Sequence, residues 1–318
     1  MIYDPIVRGG LRWLSPAGES ARLSILIFHR VLSAQDALFP SEMDADRFDT
    51  VISWLNHWFN LLPLEKAVDC LIDGALPSRA ACITFDDGYA DNVTAALPIL
   101  REYGVPATFF IATGYLNGGR MWNDTIIESV RSTRSKWVDA SSLGAGNMPT
   151  VTITEKRSTI GELVRLIKYR GVEERDEIAA AINEQCGVDL PNHLMMNDAG
   201  VRELHESGMG IGAHTVDHPI LRLCSEGETI RQVSESREYL EALIGDDVRL
   251  FAYPNGKPGT DYRPDQARLV EELGFKAAVS TAPGASGKGD DLFQLRRFTP
   301  WDSSRHRIAA RLALNLRR

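Results

Sequence analysis

A chain of 318 residues, 44% hydrophobic and 25% charged, is long enough to bury one large core. Its net charge of -8 and pI near 5.5 give no electrostatic footprint for nucleic acid. The four cysteines (Cys70, Cys82, Cys186 and Cys224) are far apart and lack C-x-x-C spacing, which argues against a disulfide framework and a zinc–thiolate site. Cys70 and Cys82 stand in apolar contexts and read as buried thiols.

The N-terminal 23 residues contain no continuous apolar h-region and no small-residue cleavage site, so a cytoplasmic location is expected. A chain trimmed of a leader and acting outside the cytoplasm would read the same. Residues 23–28 predict a strand that ends in His29-Arg30-Val31, and residues 45–58 a helix with Asp44 as its N-cap. A second strand over 81–85 is followed by a helix over about 92–103 that stops at Gly104. Residues 107–112 form a continuous apolar run, the mark of a parallel strand covered on both faces. Between Gly118 and about Asn197 the rhythm breaks. This insertion is polar and glycine-containing at 141–147 and helical over 154–181, and reads as a small helical subdomain or lid, or equally as a decoration. Strand 209–213 then resumes the pattern, with a helix over 229–243 carrying Ile230, Val233, Tyr239, Leu240 and Leu243 at helical spacing. Strands over 249–253, 276–280 and 294–298 follow, with a helix over 265–273. The basic tail from about 303 to 318 carries Ile308, Leu312, Leu314 and Leu316 and reads as a docking helix. Contact with a membrane surface is its weaker reading, and membrane association is not expected. Strands alternating with helices imply a parallel sheet, barrel or doubly wound, within a single domain over 1–318.

Two motifs carry chemistry. Thr84-Phe85-Asp86-Asp87-Gly88-Tyr89 follows a buried strand, where two adjacent carboxylates repel each other and lose hydration. A cation held by one acid, with proton transfer assigned to the other, answers both objections. An acidic turn capping the helix near Asn92 is the structural alternative. His214-Thr215-Val216-Asp217-His218 sets two of only 7 histidines four residues apart on a strand exit before Pro219. Taken together, the motifs suggest a carboxylate-plus-two-imidazole set with open positions, which suits a catalytic divalent metal.

In this order, Thr84-Phe85-Asp86-Asp87-Gly88 and His214-x-x-x-His218 resemble the first two motifs of the polysaccharide deacetylase family. That family shares the NodB homology domain and is also called carbohydrate esterase family 4. Phe251-Ala252-Tyr253-Pro254-Asn255-Gly256 is similar to its third motif, in the variant of poly-N-acetylglucosamine deacetylases. The resemblance runs from about Ser24 to about Pro300. It implies a distorted (β/α)7-type barrel, here with a helical insertion. It also implies removal of an N-acyl group, foremost acetyl, from an amino sugar of a polysaccharide, oligosaccharide or lipid-linked saccharide. Asp87, His214 and His218 would hold the metal, with zinc favoured and nickel, cobalt or iron as substitutes. Asp86 would accept a proton from water. Tyr253, Pro254 and Asn255 would surround the oxyanion, where a backbone N–H near Asn255 would donate. Trp122, at the barrel rim, would stack on a sugar or pack the insertion down. Action on a non-sugar amide, or glycan binding without turnover, are the other readings.

Two departures stand out. Many family members carry an arginine three positions before the residue matched by Asn255, where this chain has Ala252, and a late histidine that Leu295-Arg296-Arg297-Phe298 lacks. Arg296 or Arg297 is the available source of positive charge near Asp86. Arginine cannot serve as a general acid at ordinary pH, so His29 is the expected acid or substrate contact, with packing at the barrel mouth as its plainer role.

Overall fold

Seven parallel strands close on themselves in this computed structural model, which describes residues 3–300, 302 and 304–317. They are β1 (Arg22–Phe28), β2 (Ala80–Phe85), β3 (Ala107–Ile111), β4 (Gly210–Ala213), β5 (Leu250–Ala252), β6 (Ala277–Pro283) and β7 (Leu295–Phe298). Each pairs with the next in parallel, and β7 closes the ring on β1 with Ile25 opposite Arg297 and Leu26 opposite Phe298. The expected seven-stranded barrel is therefore the fold. A two-residue strand, Asn60–Leu61, adds in parallel to β2, and Ser286–Gly287 adds antiparallel to β1.

The side-chain period of two sorts the strands into two cores. Leu23, Ile25, Ala80, Cys82, Phe110, Leu250, Val279 and Leu295 form one buried cluster inside the barrel. Leu26, Phe28, Ile83, Phe85, Phe109 and Phe251 point outward into a second cluster beneath the helices. There Phe85 stacks on Phe109 at 4.7 Å and on Phe28 at 5.4 Å between ring centroids. Side chains of this kind contribute roughly 1.5–3 kcal/mol each when fully buried. Inside the barrel there is no room to spare, since a Cβ on Gly212 would sit 2.4 Å from the Phe110 ring.

Eleven α-helices are described: α1 (Tyr3–Leu14), α2 (Ala45–Trp58), α3 (Leu64–Asp73), α4 (Leu97–Tyr103), α5 (Trp122–Ser132), α6 (Ile153–Ile167), α7 (Val172–Cys186), α8 (Asp198–Glu206), α9 (Glu226–Ile244), α10 (Pro264–Glu272) and α11 (Arg305–Asn315). Asp44 caps α2 as expected, its carboxylate accepting the Arg47 N–H at 2.9 Å. Gly104 ends α4 in the left-handed conformation, though the preceding turn, Asn92–Ala96, is π-helical. α9 covers the expected helix, with Val233 and Leu240 buried and Ile230 and Tyr239 facing solvent. The Tyr239 hydroxyl instead donates to Asp198 at 2.7 Å. α11 docks through Ile308, Leu312 and Leu316 and leaves Leu314 exposed, while residues 303 and 318 of the expected tail helix lie outside the described residues. All four cysteines are free thiols; Cys82 is buried and Cys70 half-buried. No helix among the described residues is long and apolar enough to cross a membrane.

The insertion has a core of its own. α5, α6 and α7, with a short antiparallel ribbon of Trp137–Asp139 and Asn147–Pro149, pack Ile126, Val130, Val138, Ile160, Leu163 and Ile182 together. Thr152 and Glu155 form a capping box at the start of α6, close to the expected start of the helical stretch. Arg131 ties this unit to the barrel loops by gripping both Asp36 oxygens at 2.9 and 2.6 Å.

Candidate metal centre and active site

The inward row of β2 is Ala80, Cys82 and Thr84, and the next member of that row is Asp86. Its neighbours Asp87 (φ 79°) and Gly88 (φ 92°) are both left-handed, which bends the chain sharply at the strand end. Aspartate tolerates that conformation better than most residues, whereas a Cβ on Gly88 would press on Ile111 at 3.2 Å. Backbone bonds fix the turn: the Asp86 N–H donates to Phe28, and Asp87 and Gly88 carbonyls accept from Ala112 and Met196. No side-chain cap is made to the helical turn at Asn92, so the acidic pair is not a helix cap.

Asp86 is buried, and Arg297 grips it with two bonds, Nη1 to Oδ1 and Nη2 to Oδ2, each 2.7 Å. Arg297 stands one step above Leu295 on the inward row of β7 and is 2% exposed. Its Nε donates to the Ser280 carbonyl at 2.8 Å, so the guanidinium is held between β6 and the end of β2. Burial alone would raise the Asp86 pKa, but the Arg297 charge, His214 and the bidentate bonds outweigh it and hold the carboxylate below its ordinary value. Of the two arginines offered by the sequence, Arg297 is the one beside Asp86.

Asp87 turns away to the histidines. Its Oδ1 lies 3.4 Å from the Nε2 atoms of both His214 and His218, and makes no hydrogen bond although it is buried. One ligand atom from each of the three residues fits within 4.8 Å of the others. His214 Nδ1 is 2.7 Å from the Ala252 carbonyl, which can only accept, so Nδ1 carries the proton and the Nε2 lone pair is free. Burial pushes the His218 pKa down to about 3, leaving that imidazole neutral. Burial opposes charge on His214 as well, but the Asp87 contact and the two nearby carboxylates raise its pKa overall. An orphaned carboxylate oxygen facing two neutral-capable ring nitrogens is the donor set of a divalent ion with open positions, and these residues fit one.

The histidine loop is strained and held. Thr215 (φ 68°) and His218 (φ 46°) are left-handed. The Thr215 hydroxyl accepts the His218 N–H at 3.1 Å, and Gln232 of α9 accepts the N–H groups of Val216 and Asp217 at 3.0 and 2.9 Å. Arg175 of the insertion is buried and reaches the His218 carbonyl at 3.3 Å. Gln232 and Arg175 carry no signal in the sequence, because each lies in an ordinary-looking polar helix.

A cavity of about 240 Å³ opens over these groups, lined by His29, Asp86, Asp87, Trp122, Lys168, His214, His218, Asn255 and Thr281 among others. It brings together most of the expected residues. Trp122 is only 6% exposed and belongs to the insertion core, with the Arg175 guanidinium 5.4 Å from its ring centroid. It therefore packs the insertion down while also lining the cavity. Tyr253 is a correction: it is fully buried, stacked on Tyr262 at 3.8 Å, with its hydroxyl donating to the Phe293 carbonyl and its N–H to Val279. Neither polar group of Tyr253 is left for an oxyanion. Pro254 has no N–H to offer, so of that trio only Asn255 (φ 59°) lines the cavity.

A second cavity of about 280 Å³ adjoins the first and shares His29, Asp87 and Asn123 with it. Asp124 on its wall was not singled out by the sequence, where it reads as an ordinary acid in the first turn of a helix. Its carboxyl is 3% exposed and burial pushes its pKa up to about 7, against the pull of Arg30.

Residues 73–278 match the family profile described as polysaccharide deacetylase. Among curated proteins, the chain is 21% identical over 281 residues to the Bacillus subtilis (strain 168) polysaccharide deacetylase protein YxkH, covering 88% of this chain and 71% of that one. Over 71 residues it is 37% identical to the poly-beta-1,6-N-acetyl-D-glucosamine N-deacetylase of Staphylococcus aureus (strain MSSA476), a match to 22% of this chain and 24% of that protein. Its fold is similar to that of the Streptococcus pyogenes deacetylase PplD, with a TM-score of 0.60, 18% identity and coverage of 93% and 98%. IcaB from Ammonifex degensii gives a TM-score of 0.60 at 17% identity, with coverage of 96% and 99%. The chain belongs to the polysaccharide deacetylase family.

Proposed function

We propose that the protein is a metal-dependent hydrolase that removes an N-acyl group, foremost N-acetyl, from an amino sugar of a polysaccharide, oligosaccharide or lipid-linked saccharide. The observation that carries this reading is the division of the acid pair. Asp86 is ionised, clamped by Arg297 and outside the ligand set, next to the Asp87–His214–His218 trio. A protein that only bound glycans would have no use for an ionised carboxylate held off the ligands in this way.

Asp87, His214 and His218 would hold the ion, with zinc favoured for a two-imidazole, one-carboxylate set. When bound, a divalent ion supplies Lewis-acid polarisation of the acyl carbonyl and acidifies water. The protein's own part begins with Asp86, whose oxygens take the proton from the attacking water. Arg297 keeps that carboxylate oriented while the proton arrives. A backbone N–H near Asn255 would donate to the developing oxyanion. His29 lines the same cavity, and it would protonate the departing amine or touch the sugar. Met121, Trp122, Asn123, Val164 and Lys168 from the insertion line the same cavity, where they would contact the substrate.

The test is acetate release from a panel of N-acetylated oligosaccharides by the metal-loaded protein, with Asp86→Asn as the control. Turnover that persists undiminished in that variant would remove Asp86 as the base. Acylated non-sugar amides run in parallel would detect a different substrate class.

A further inference from the structure

The cavity beside the metal centre has an excess of acid that the fold does not use. Its two arginines already have carboxylate partners: Arg30 Nε is 2.8 Å from Asp91, and Arg131 grips both oxygens of Asp36. Glu42 and Asp124 line the same space, and among the described residues neither forms an ion pair. Asp124 stands in the first turn of α5, where an acid normally sits in water and favours the helix dipole. Here it is 3% exposed, and its Oδ2 has no hydrogen-bond partner. A buried carboxyl left in that state is costly to the fold. A ligand that brings donors, and above all a positive charge, would satisfy it.

We propose that this adjoining cavity is a subsite for a free ammonium group on the sugar unit next to the one being deacetylated, read by Asp124 and Glu42. The inference rests on the deacetylase reading, because that reaction is what leaves amines along a glycan. The shared wall of His29, Asp87 and Asn123 places the two cavities side by side, as successive sugars on one chain require. The enzyme would thus favour a glycan it has already begun to deacetylate.

The experiment uses two oligosaccharides of equal length, one fully N-acetylated and one with a single free amine beside an N-acetylated unit. The metal-loaded wild type should show a kcat/KM for acetate release roughly 5- to 10-fold higher on the aminated one, in line with an ion pair shielded from solvent. Asp124→Asn should bring that ratio close to one, and Glu42→Gln should lower it by a smaller factor. Equal rates on both substrates in the wild type, or an undiminished ratio in both variants, would overturn the inference. Should Asp124→Asn fail to fold, Glu42→Gln decides. A binding arm separates this from the underlying reading. Calorimetry of a fully deacetylated against a fully acetylated oligosaccharide should show tighter binding of the former, weakened in the variants. If no acetate is released from anything but this binding preference is present, the deacetylase reading fails and the amine subsite stands. If acetate is released but no preference is seen in either arm, the reverse holds.

Discussion

On one side of the cavity each Asp86 oxygen accepts a bond from Arg297. On the other, Asp87 leaves Oδ1 without any, 3.4 Å from two imidazole nitrogens. The same residue type, one position apart, is therefore built for two unlike tasks. The difference comes from the strand end. Asp86 continues the inward row of β2 and meets the inward row of β7, whereas the left-handed turn at Asp87 swings the next carboxylate toward β4 and its loop. Adjacent acids avoid mutual repulsion when each has its own counter-charge, a guanidinium for Asp86 and, in the proposed function, a metal for Asp87.

That contrast can be broken most severely on the ligand side. His214→Ala should abolish metal binding and turnover together, with elemental analysis falling from about one divalent ion per chain to none; retention of a full equivalent would remove His214 from the set. Asp86→Asn should keep the metal and lose about 10²- to 10⁴-fold in kcat, the range for a positioned base. An equal loss of metal would show that the two acids do not have separate roles. Arg297→Met leaves a buried carboxylate alone, which costs about 3–5 kcal/mol of stability. Denaturant titration should reveal that loss, and combining it with Asp86→Asn should restore part of it. Additive losses in the double variant would mean that the pair does not interact.

The smallest effect concerns pH. Burial raises the Asp124 pKa from an ordinary value of 3.8 to about 7 in the folded protein, with Arg30, Tyr89, Asp87 and Glu128 as the neighbouring charges and donors. A carboxyl whose folded pKa is raised favours the fold below its unfolded pKa, and that contribution is lost as pH rises through the folded one. Asp124→Asn should therefore be more stable than wild type at pH 8 by about 1–3 kcal/mol, with the gap closing near pH 4. A variant that is less stable at pH 8 would mark Asp124 as a structural group.

Much of this site was legible in the chain. Apolar runs marked the barrel strands, and acids or histidines at their ends marked one catalytic face, because parallel strands share their C-terminal ends. Arg297 was half legible. Alternation in Leu295-Arg296-Arg297-Phe298 says that one arginine must face inward, but only register and closure on β1 choose which. Tyr253 misled because it stands inside a recognised motif, while its ring fills the core against Tyr262. α1 went unread, since Pro5, Gly9 and Gly10 argue against a helix and only packing, as of Leu11 into the core, overrides that preference. The burial of Asp124 was hidden by the ordinary look of an acid at a helix start.

The partners of the ion pair lie 211 positions apart, one at the end of the second strand and one on the last. β7 is also the strand that seals the barrel against β1. Asp86 therefore has no fixed counter-charge until the final strand has docked. A chain still emerging, or one truncated before residue 295, would already contain both aspartates and both histidines. It could collect metal ions and remain inert. If the proposed reaction holds, acetate release would report closure of β7 on β1 more stringently than metal content would.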